Sequence, residues 1–171
     1  MAEHRPRLEL FLRSLAPSTG REQQERIVKR IRTLNDEDQI RDFEVVLCGE
    51  CVCPRSVTAE TEPGERLLNS YERFTEWADE TDRELVGFEE RDTKSILTGT
   101  EVTGIVFPRV VIAEYRSDEL AFVVPFRDGD SETTVADRLS AYESGELVTP
   151  GSDRFQQDPQ SGTGTTNELF E

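Results

Sequence analysis

Two adjacent apolar segments in the second half of the chain limit the possible folds more than any other part of the sequence. The segments VTGIVFPRVVIAEY and LAFVVPF are joined by the polar tetrapeptide RSDE. β-Branched and aromatic residues on both faces are typical of buried strands. A turn centred on residues 117–118 pairs Tyr115 with Leu120, and the same register pairs Arg109 with Phe126. The segments therefore predict an antiparallel hairpin, which would extend the sheet or its dimer.

Hydrophobic periodicity predicts the remaining elements. LELFLRSL and FEVVLC alternate as strands, CVCPRSVT is a third strand, and ELVGFEERD is a fourth. A first helix starts at a capping box formed by Thr19 and Glu22, a second opens with Thr61 and Pro63, and a last one runs through residues 133–142. The order predicts an α+β fold: a ferredoxin-like (split β-α-β) sandwich with an added β-hairpin and a C-terminal helix.

The charge balance points to the solvent in which the protein works. The chain has 36 acidic and 20 basic residues, a formal net charge of -16, and only two lysines, Lys29 and Lys94. Apolar residues make up 35% of the chain and fall in periodic blocks, which favours a folded domain over disorder. A carboxylate surface with few lysines suits multimolar salt, where the Debye length is about 3 Å or less. The sequence therefore predicts a halophilic protein whose acidity says little about its partners.

Composition also predicts the domain organisation. Residues 1–6 form a flexible N-terminus, residues 7–144 a single α+β domain, and residues 145–171 a disordered acidic and polar tail. The start of the chain lacks the apolar stretch of a signal peptide, and no apolar run approaches the ~18 residues of a membrane-spanning helix. We therefore expect a cytoplasmic protein that has no membrane partner.

All three cysteines lie in the segment VVLCGECVCP. A tight turn at the Gly-Glu dipeptide would place Cys48 and Cys51 opposite each other across a hairpin, with Cys53 on the face of Cys51. The C-x-x-C spacing also fits a zinc site formed by Cys48, Cys51 and Cys53, with the only histidine, His4, as a fourth ligand. A thiol-redox pair is the third interpretation. We favour the hairpin.

Basic residues concentrate on the first helix of this acidic chain. Arg26, Lys29 and Arg30 are candidates for contacts to DNA or another polyanion. The alternative is a solvated helix face on which Glu22 and Glu25 pair with Arg26 and Lys29 at i,i+4 spacing. Helix-turn-helix binding requires two helices joined by a short turn, whereas strands are predicted between the helices here.

Catalytic motifs are missing from the sequence. A single histidine leaves no Ser-His-Asp, Cys-His or H-E-x-x-H site, and neither of the common glycine-rich phosphate loops occurs. We therefore predict no enzymatic activity and no cofactor. The polar loop RDTKSILTGTE is the best remaining candidate for ligand contacts, through Arg91, Asp92, Lys94 and Thr98.

Four segments resemble a family of small haloarchaeal proteins, some of which carry a generic helix-turn-helix-domain label. They are LELFLRSL, ERFTEWAD, SILTGTE and LAFVVPFRDGDSETTVADRL. The resemblance covers most of residues 7–143 and implies transcriptional control, but it brings no functional residues. We predict a non-catalytic regulatory or protein-interaction module of a halophilic archaeon that forms a homodimer or binds a protein partner. The alternatives are a DNA-binding regulator that uses the arginine-rich first helix, and a zinc or thiol-redox protein.

Overall fold

The computed structural model describes residues 5–54, 60–94 and 96–146. Nearly all of the predicted tail lies outside these residues, as does most of the predicted flexible N-terminus. None of the described helices is long and apolar enough to cross a membrane. The elements, in chain order, are β1 (Arg7–Leu12), α1 (Arg21–Asp36), β2 (Asp42–Leu47), α2 (Glu62–Glu80), β3 (Glu84–Leu85), β4 (Glu89–Lys94), β5 (Glu101–Val106), β6 (Val110–Arg116), β7 (Glu119–Val124), β8 (Phe126–Asp128), β9 (Ser131–Thr133) and α3 (Val135–Glu143).

A four-stranded sheet with the order β2-β1-β6-β7 forms the centre of the molecule. β1 runs parallel to β2 and antiparallel to β6, and β6 pairs with β7 as a hairpin. The parallel pair encloses α1, so the first three elements form a β-α-β unit. β1 is therefore an inner strand, and Leu8, Leu10 and Phe11 are completely buried.

Helices cover both faces of this sheet. Glu114 lies opposite Leu8 and binds Arg138 of α3, so α3 covers the face that carries Leu8. Phe11 points to the other face and meets Phe74 of α2, with ring centroids 5.4 Å apart. α1 packs beside α3. The mixed helix and strand content confirms the predicted α+β class. The ferredoxin-like arrangement is not confirmed, because that sandwich places its two helices on one sheet face.

The predicted hairpin forms, and its register is partly correct. Tyr115 pairs with Leu120 as predicted, and both turn residues have the positive φ that a tight hairpin turn favours. A register shift between Glu114 and Tyr115 places one extra residue in β7. The predicted pair of Arg109 and Phe126 is therefore wrong, and Phe126 instead belongs to β8, which pairs with β3 and β9.

Two further strand predictions are wrong. The predicted fourth strand is divided into β3 and β4 by residues 86–88, where Gly87 has a φ of 78° and packs against Pro108. The described part of the predicted third strand forms only an isolated bridge between Val52 and Ile105. β4 and β5 form a separate two-stranded ribbon, and the predicted loop TKSILTGTE supplies its tip.

The N-terminal residues of the helices show which of the capping predictions were correct. Thr61 caps α2 by accepting a hydrogen bond from the backbone N–H of Gly64 at 3.3 Å, as its position before Pro63 predicts. α3 begins with a complete capping box. For α1 the predicted capping box is wrong: Gly20 is the N-cap residue, with a φ of 73° and no side-chain cap.

Candidate functional site

A cavity lies at the carboxyl ends of the parallel strands β1 and β2. It has a volume of about 610 Å³, and the loop between β1 and α1 forms one wall. Ligands of open α/β sheets bind in clefts outside the carboxyl ends of the strands, because connections diverge there. We call this cavity the arginine cleft; its polar and charged walls include Arg13, Ser14, Gln23, Glu50 and Arg109.

Two arginines from neighbouring strand ends meet in the arginine cleft. The backbone N–H of Arg13 donates to the carbonyl oxygen of Arg109 at 3.2 Å. Nη2 of Arg13 donates to the carbonyl oxygen of Phe107. The Nε atom of Arg13 is buried and has no hydrogen-bond partner among the described residues. One guanidinium is therefore fixed in place while part of its donor capacity is unused.

The second guanidinium lies at the start of α1. A Cβ atom added to Gly20 would be 2.9 Å from Nη1 of Arg109, so glycine allows this close approach as well as the positive φ. The loop is fixed by the side chain of Gln24, which donates to the carbonyl oxygen of Ser14 at 2.9 Å. The first backbone N–H groups of a helix have no intrahelical acceptors, and no side chain caps this helix.

The arginine cleft thus concentrates positive charge in an acidic protein. Most described arginines pair with a carboxylate, but Arg13 and Arg109 form no ion pair within the described part of the chain. Glu50 is the carboxylate residue of the lining. The partial positive charge of the helix N-terminus adds to the two guanidiniums. Such a group of positive charges favours the binding of an anion.

The basic residues predicted to bind a polyanion are largely engaged in ion pairs. Arg26 pairs with Glu22 at 3.5 Å. Arg30 binds both carboxylate oxygens of Glu143 in α3, at 2.7 and 2.9 Å. This contact lowers the pKa of Glu143 and raises the pKa of Arg30. Lys29 lies one residue away on the exposed side of α1. Arg30 therefore joins two helices, and Arg26 lies on the solvent side.

The predicted ligand residues Arg91, Asp92, Lys94 and Thr98 lie on the β4–β5 ribbon. Arg91 pairs with Glu89 at 2.8 Å on the same strand, and Asp92 accepts a hydrogen bond from the hydroxyl of Thr103 at 2.6 Å. Arg91 and Asp92 are consecutive strand residues, so their side chains point to opposite faces. The ribbon spreads these residues out instead of collecting them around a ligand.

Sequence reasoning missed the most exposed apolar residues of the described chain. Ile96 and Leu97, at the tip of the ribbon, are 101% and 96% exposed. The available signal was an Ile-Leu pair inside an otherwise polar loop. In sequence the pair looks like part of a polar loop, so only the polar residues of the loop were predicted to make contacts.

The hairpin predicted at the cysteines is wrong. Cys48 extends the parallel pairing beyond β2, since its backbone N–H donates to the carbonyl oxygen of Leu12 at 2.9 Å. Cys51 and Cys53 do point to one side, with their Sγ atoms 3.8 Å apart against Gly104. Within residues 5–54, 60–94 and 96–146, no group of three or more His, Cys, Asp or Glu residues is arranged to hold a metal. The predicted ligand His4 lies outside them.

Comparison with known proteins gives one match. A family model described as a helix-turn-helix domain matches residues 2–147. No curated protein matches the chain, and no solved structure does. The matched range includes the arginine cleft, the β4–β5 ribbon and the three helices of the described residues.

Proposed function

Because this chain belongs to the helix-turn-helix domain family over residues 2–147, we propose that it is a non-catalytic regulatory module that acts through contact with a second copy of itself. The family description favours a role in gene regulation. In the described ranges, however, β2 lies between α1 and α2, and seven strands lie between α2 and α3. A helix-turn-helix reader needs two helices joined by a short turn. The proposal therefore relies on protein contact.

The exposed tip of the β4–β5 ribbon carries this proposal. Ile96 and Leu97 contact water over essentially their whole side chains. Burying an aliphatic side chain of this size gains about 1.5–3 kcal/mol, so covering both residues favours association. Homo-oligomers are most often two-fold symmetric dimers, in which each copy offers the same surface. Two copies that meet through their ribbon tips would each offer the same two residues, as a two-fold symmetric dimer does.

Light scattering in concentrated potassium chloride tests this proposal. We expect the native protein to have the mass of a dimer, and the double variant Ile96→Ser with Leu97→Ser to have the mass of a monomer. Leu15→Ser is the matched control, because Leu15 is also an exposed aliphatic residue, at 66%, but lies outside the ribbon. A native protein that remains monomeric up to high concentration would contradict self-association, and a double variant that remains dimeric would show that the ribbon tip is not the interface.

The family description also favours a second candidate function, a DNA-binding regulator that uses α1. Lys29 and Arg26 lie on the solvent side of this helix, and the exposed contact of Arg26 with Glu22 at 3.5 Å is weak enough for a phosphate to replace. Each phosphate contact contributes about -0.9 to the slope of log affinity against log salt concentration on duplex DNA. A binder that uses both residues should therefore lose part of that slope when they are replaced.

The DNA test requires variants that leave the fold intact. Charge reversal at Arg26 and Lys29 meets this condition, whereas reversal at Arg30 would also break its contact with Glu143. The double variant Arg91→Glu with Lys94→Glu is the control, since it makes the same charge change on the exposed ribbon. We expect the α1 variant alone to weaken binding to DNA fragments in a fluorescence anisotropy titration. If the native protein binds no DNA, the second candidate is wrong.

A further inference from the structure

The geometry points to a binding site for a small organic phosphate in the arginine cleft. The phosphate group would lie between the guanidinium of Arg109 and the start of α1, with the organic part further along the cleft. Neither the family description nor the proposed self-association assigns a role to this cavity. The site is separate from the ribbon tip, so the two proposals are independent.

Unbalanced charge is the first support. Arg13 and Arg109 are joined through their backbones at 3.2 Å, and neither guanidinium has a described carboxylate as an ion-pair partner. Keeping two cations together without an anion is unfavourable, and a chain with 36 acidic residues had many ways to supply one. In the same protein Arg138 and Arg30 both receive carboxylate partners. Among the described residues of the lining, Glu50 is the one carboxylate and forms no ion pair with either arginine, so an anionic ligand would balance the remaining positive charge.

The fixed position of Arg13 is the second support. Its Nη2 atom donates to the carbonyl oxygen of Phe107, and its backbone N–H donates to the carbonyl oxygen of Arg109. The Nε atom is buried and lacks a hydrogen-bond partner among the described residues, so it does not itself contact a ligand. The guanidinium is therefore held in the wall of the cleft before any ligand arrives, and its charge acts on the ligand from there.

The start of α1 favours phosphate as the anion. Gly20 leaves the first turn uncapped, so its backbone N–H groups can donate to an oxyanion. Arg109 lies directly against Gly20, which puts a planar guanidinium beside those N–H groups. A phosphate ester offers three peripheral oxygens and about two negative charges, enough to accept from both sources at once.

The size and the lining of the cleft favour an organic ester over the bare ion. A volume of about 610 Å³ falls within the range of small-molecule sites, roughly 300–1,000 Å³. Ala16, Pro17 and Val110 give the cleft apolar wall in addition to its charges. An inorganic phosphate ion would leave that wall exposed to water. We therefore assign the apolar part to the organic group of the ligand.

Calorimetric titration at constant potassium chloride concentration tests the assignment with three probes: phenyl phosphate, inorganic phosphate and phenol. We expect saturable binding of phenyl phosphate, at least tenfold weaker binding of inorganic phosphate, and no binding of phenol. Arg109→Gln should weaken phenyl phosphate binding at least tenfold. Arg109 is the better target, since Arg13 also supports the backbone at Phe107. The control Arg32→Gln removes an exposed arginine about 18 Å further along α1 and should bind as the native protein does.

Each other outcome overturns part or all of the assignment. No saturable binding of either phosphate probe to the native protein would reject the anion site. The same holds if Arg109→Gln, with an unchanged melting temperature, binds phenyl phosphate as tightly as the native protein. Equal affinity for inorganic phosphate and phenyl phosphate would reject the organic part of the ligand. Binding of phenol would show that the cleft recognises the ring and not the charge.

Discussion

Arg138 and Glu114 form an ion pair that is almost completely removed from water. Nη2 of Arg138 lies 2.6 Å from Oε2 of Glu114, and the two side chains are 4% and 2% exposed. The other carboxylate oxygen accepts a hydrogen bond from Arg116 at 2.9 Å. The Arg138 guanidinium also lies over the ring of Phe122, 4.0 Å from its centroid. This network fixes α3 to the central sheet.

The first prediction concerns this pair. Arg138→Met should lower the free energy of unfolding by about 3–5 kcal/mol, because it leaves the Glu114 carboxylate buried with only part of its compensation. Urea unfolding at neutral pH measures the change. Arg127→Met is the control, since Arg127 and Glu132 are both 43% exposed and such a pair contributes about 1 kcal/mol or less. Equal effects of the two substitutions would show that burial does not set the strength of the Arg138 contact.

The second prediction concerns Gly104, which lies beneath two cysteines. A Cβ atom at this position would collide with Sγ of Cys51 and lie 3.3 Å from Sγ of Cys53. Gly104→Ala should therefore destabilise the protein by about 1–3 kcal/mol, whereas Cys51→Ala should have little effect, because Cys51 is exposed. In the double variant most of the loss should be recovered. Strict additivity in a thermodynamic cycle would contradict the proposed steric conflict.

The third prediction concerns alkaline pH. Burial raises the pKa of the Cys48 thiol to about 11, although the positive charge of Arg13 acts in the opposite direction. In the unfolded chain the same thiol loses its proton nearer its ordinary value of 9.0. The unfolded state therefore releases the proton first. The stabilisation from the neutral buried thiol is complete below about pH 9 and is lost as the pH rises towards about 11.

Comparison with the variant Cys48→Ala separates the contribution of the Cys48 thiol from those of other groups that lose protons at high pH. Tyr115, for example, has its pKa raised to about 12, mainly by burial. The free energy of unfolding, measured in urea from about pH 8 to about pH 11, should fall by about 2 kcal/mol more in the native protein than in Cys48→Ala. Parallel pH profiles of the two proteins would show that Cys48 ionises equally easily in the folded and the unfolded state.

The local signals of the sequence predicted much of this fold. The β6–β7 turn, the cap of α2 and the class of the domain follow from short-range patterns, namely turn residues, a threonine before a proline, and the period of apolar residues. Strand pairing between distant segments was harder to predict. One extra residue in β7 moved Phe126 out of the hairpin and into β8, and no local pattern marks such a bulge.

The candidate site was missed for a related reason. Arg13 and Arg109 are 96 positions apart in sequence, and each stands at the end of an apolar strand where a single arginine looks ordinary. Only the antiparallel pairing of β1 with β6 brings them together. The basic cluster on α1 was visible in sequence because its members are neighbours. Its ion pair between Arg30 and Glu143 was not visible, since it joins the first helix to the last.

The final prediction concerns salt. With a formal charge of -16, exposed carboxylates repel one another, by about 0.4 kcal/mol for each pair about 10 Å apart in water. Potassium chloride screens this repulsion, and the Debye length falls from about 30 Å at 0.01 M to about 3 Å at 1 M. Screening also weakens attractive surface pairs such as Arg26 with Glu22, but these contribute little. The buried pair of Arg138 and Glu114 is largely protected from the ions.

Because salt removes more repulsion than attraction, a rising potassium chloride concentration favours the folded state. We expect the melting temperature, followed by circular dichroism, to rise by at least about 10 °C between about 0.01 and 1 M potassium chloride. Screening should raise the free energy of unfolding by a few kcal/mol, and each kcal/mol raises the melting temperature by about 3 °C. Replacing several exposed carboxylates by their amides should reduce this rise and raise the melting temperature in dilute buffer. A protein that melts at the same temperature throughout the series would show that its acidic surface is not an adaptation to salt, and a cationic partner would become the better explanation.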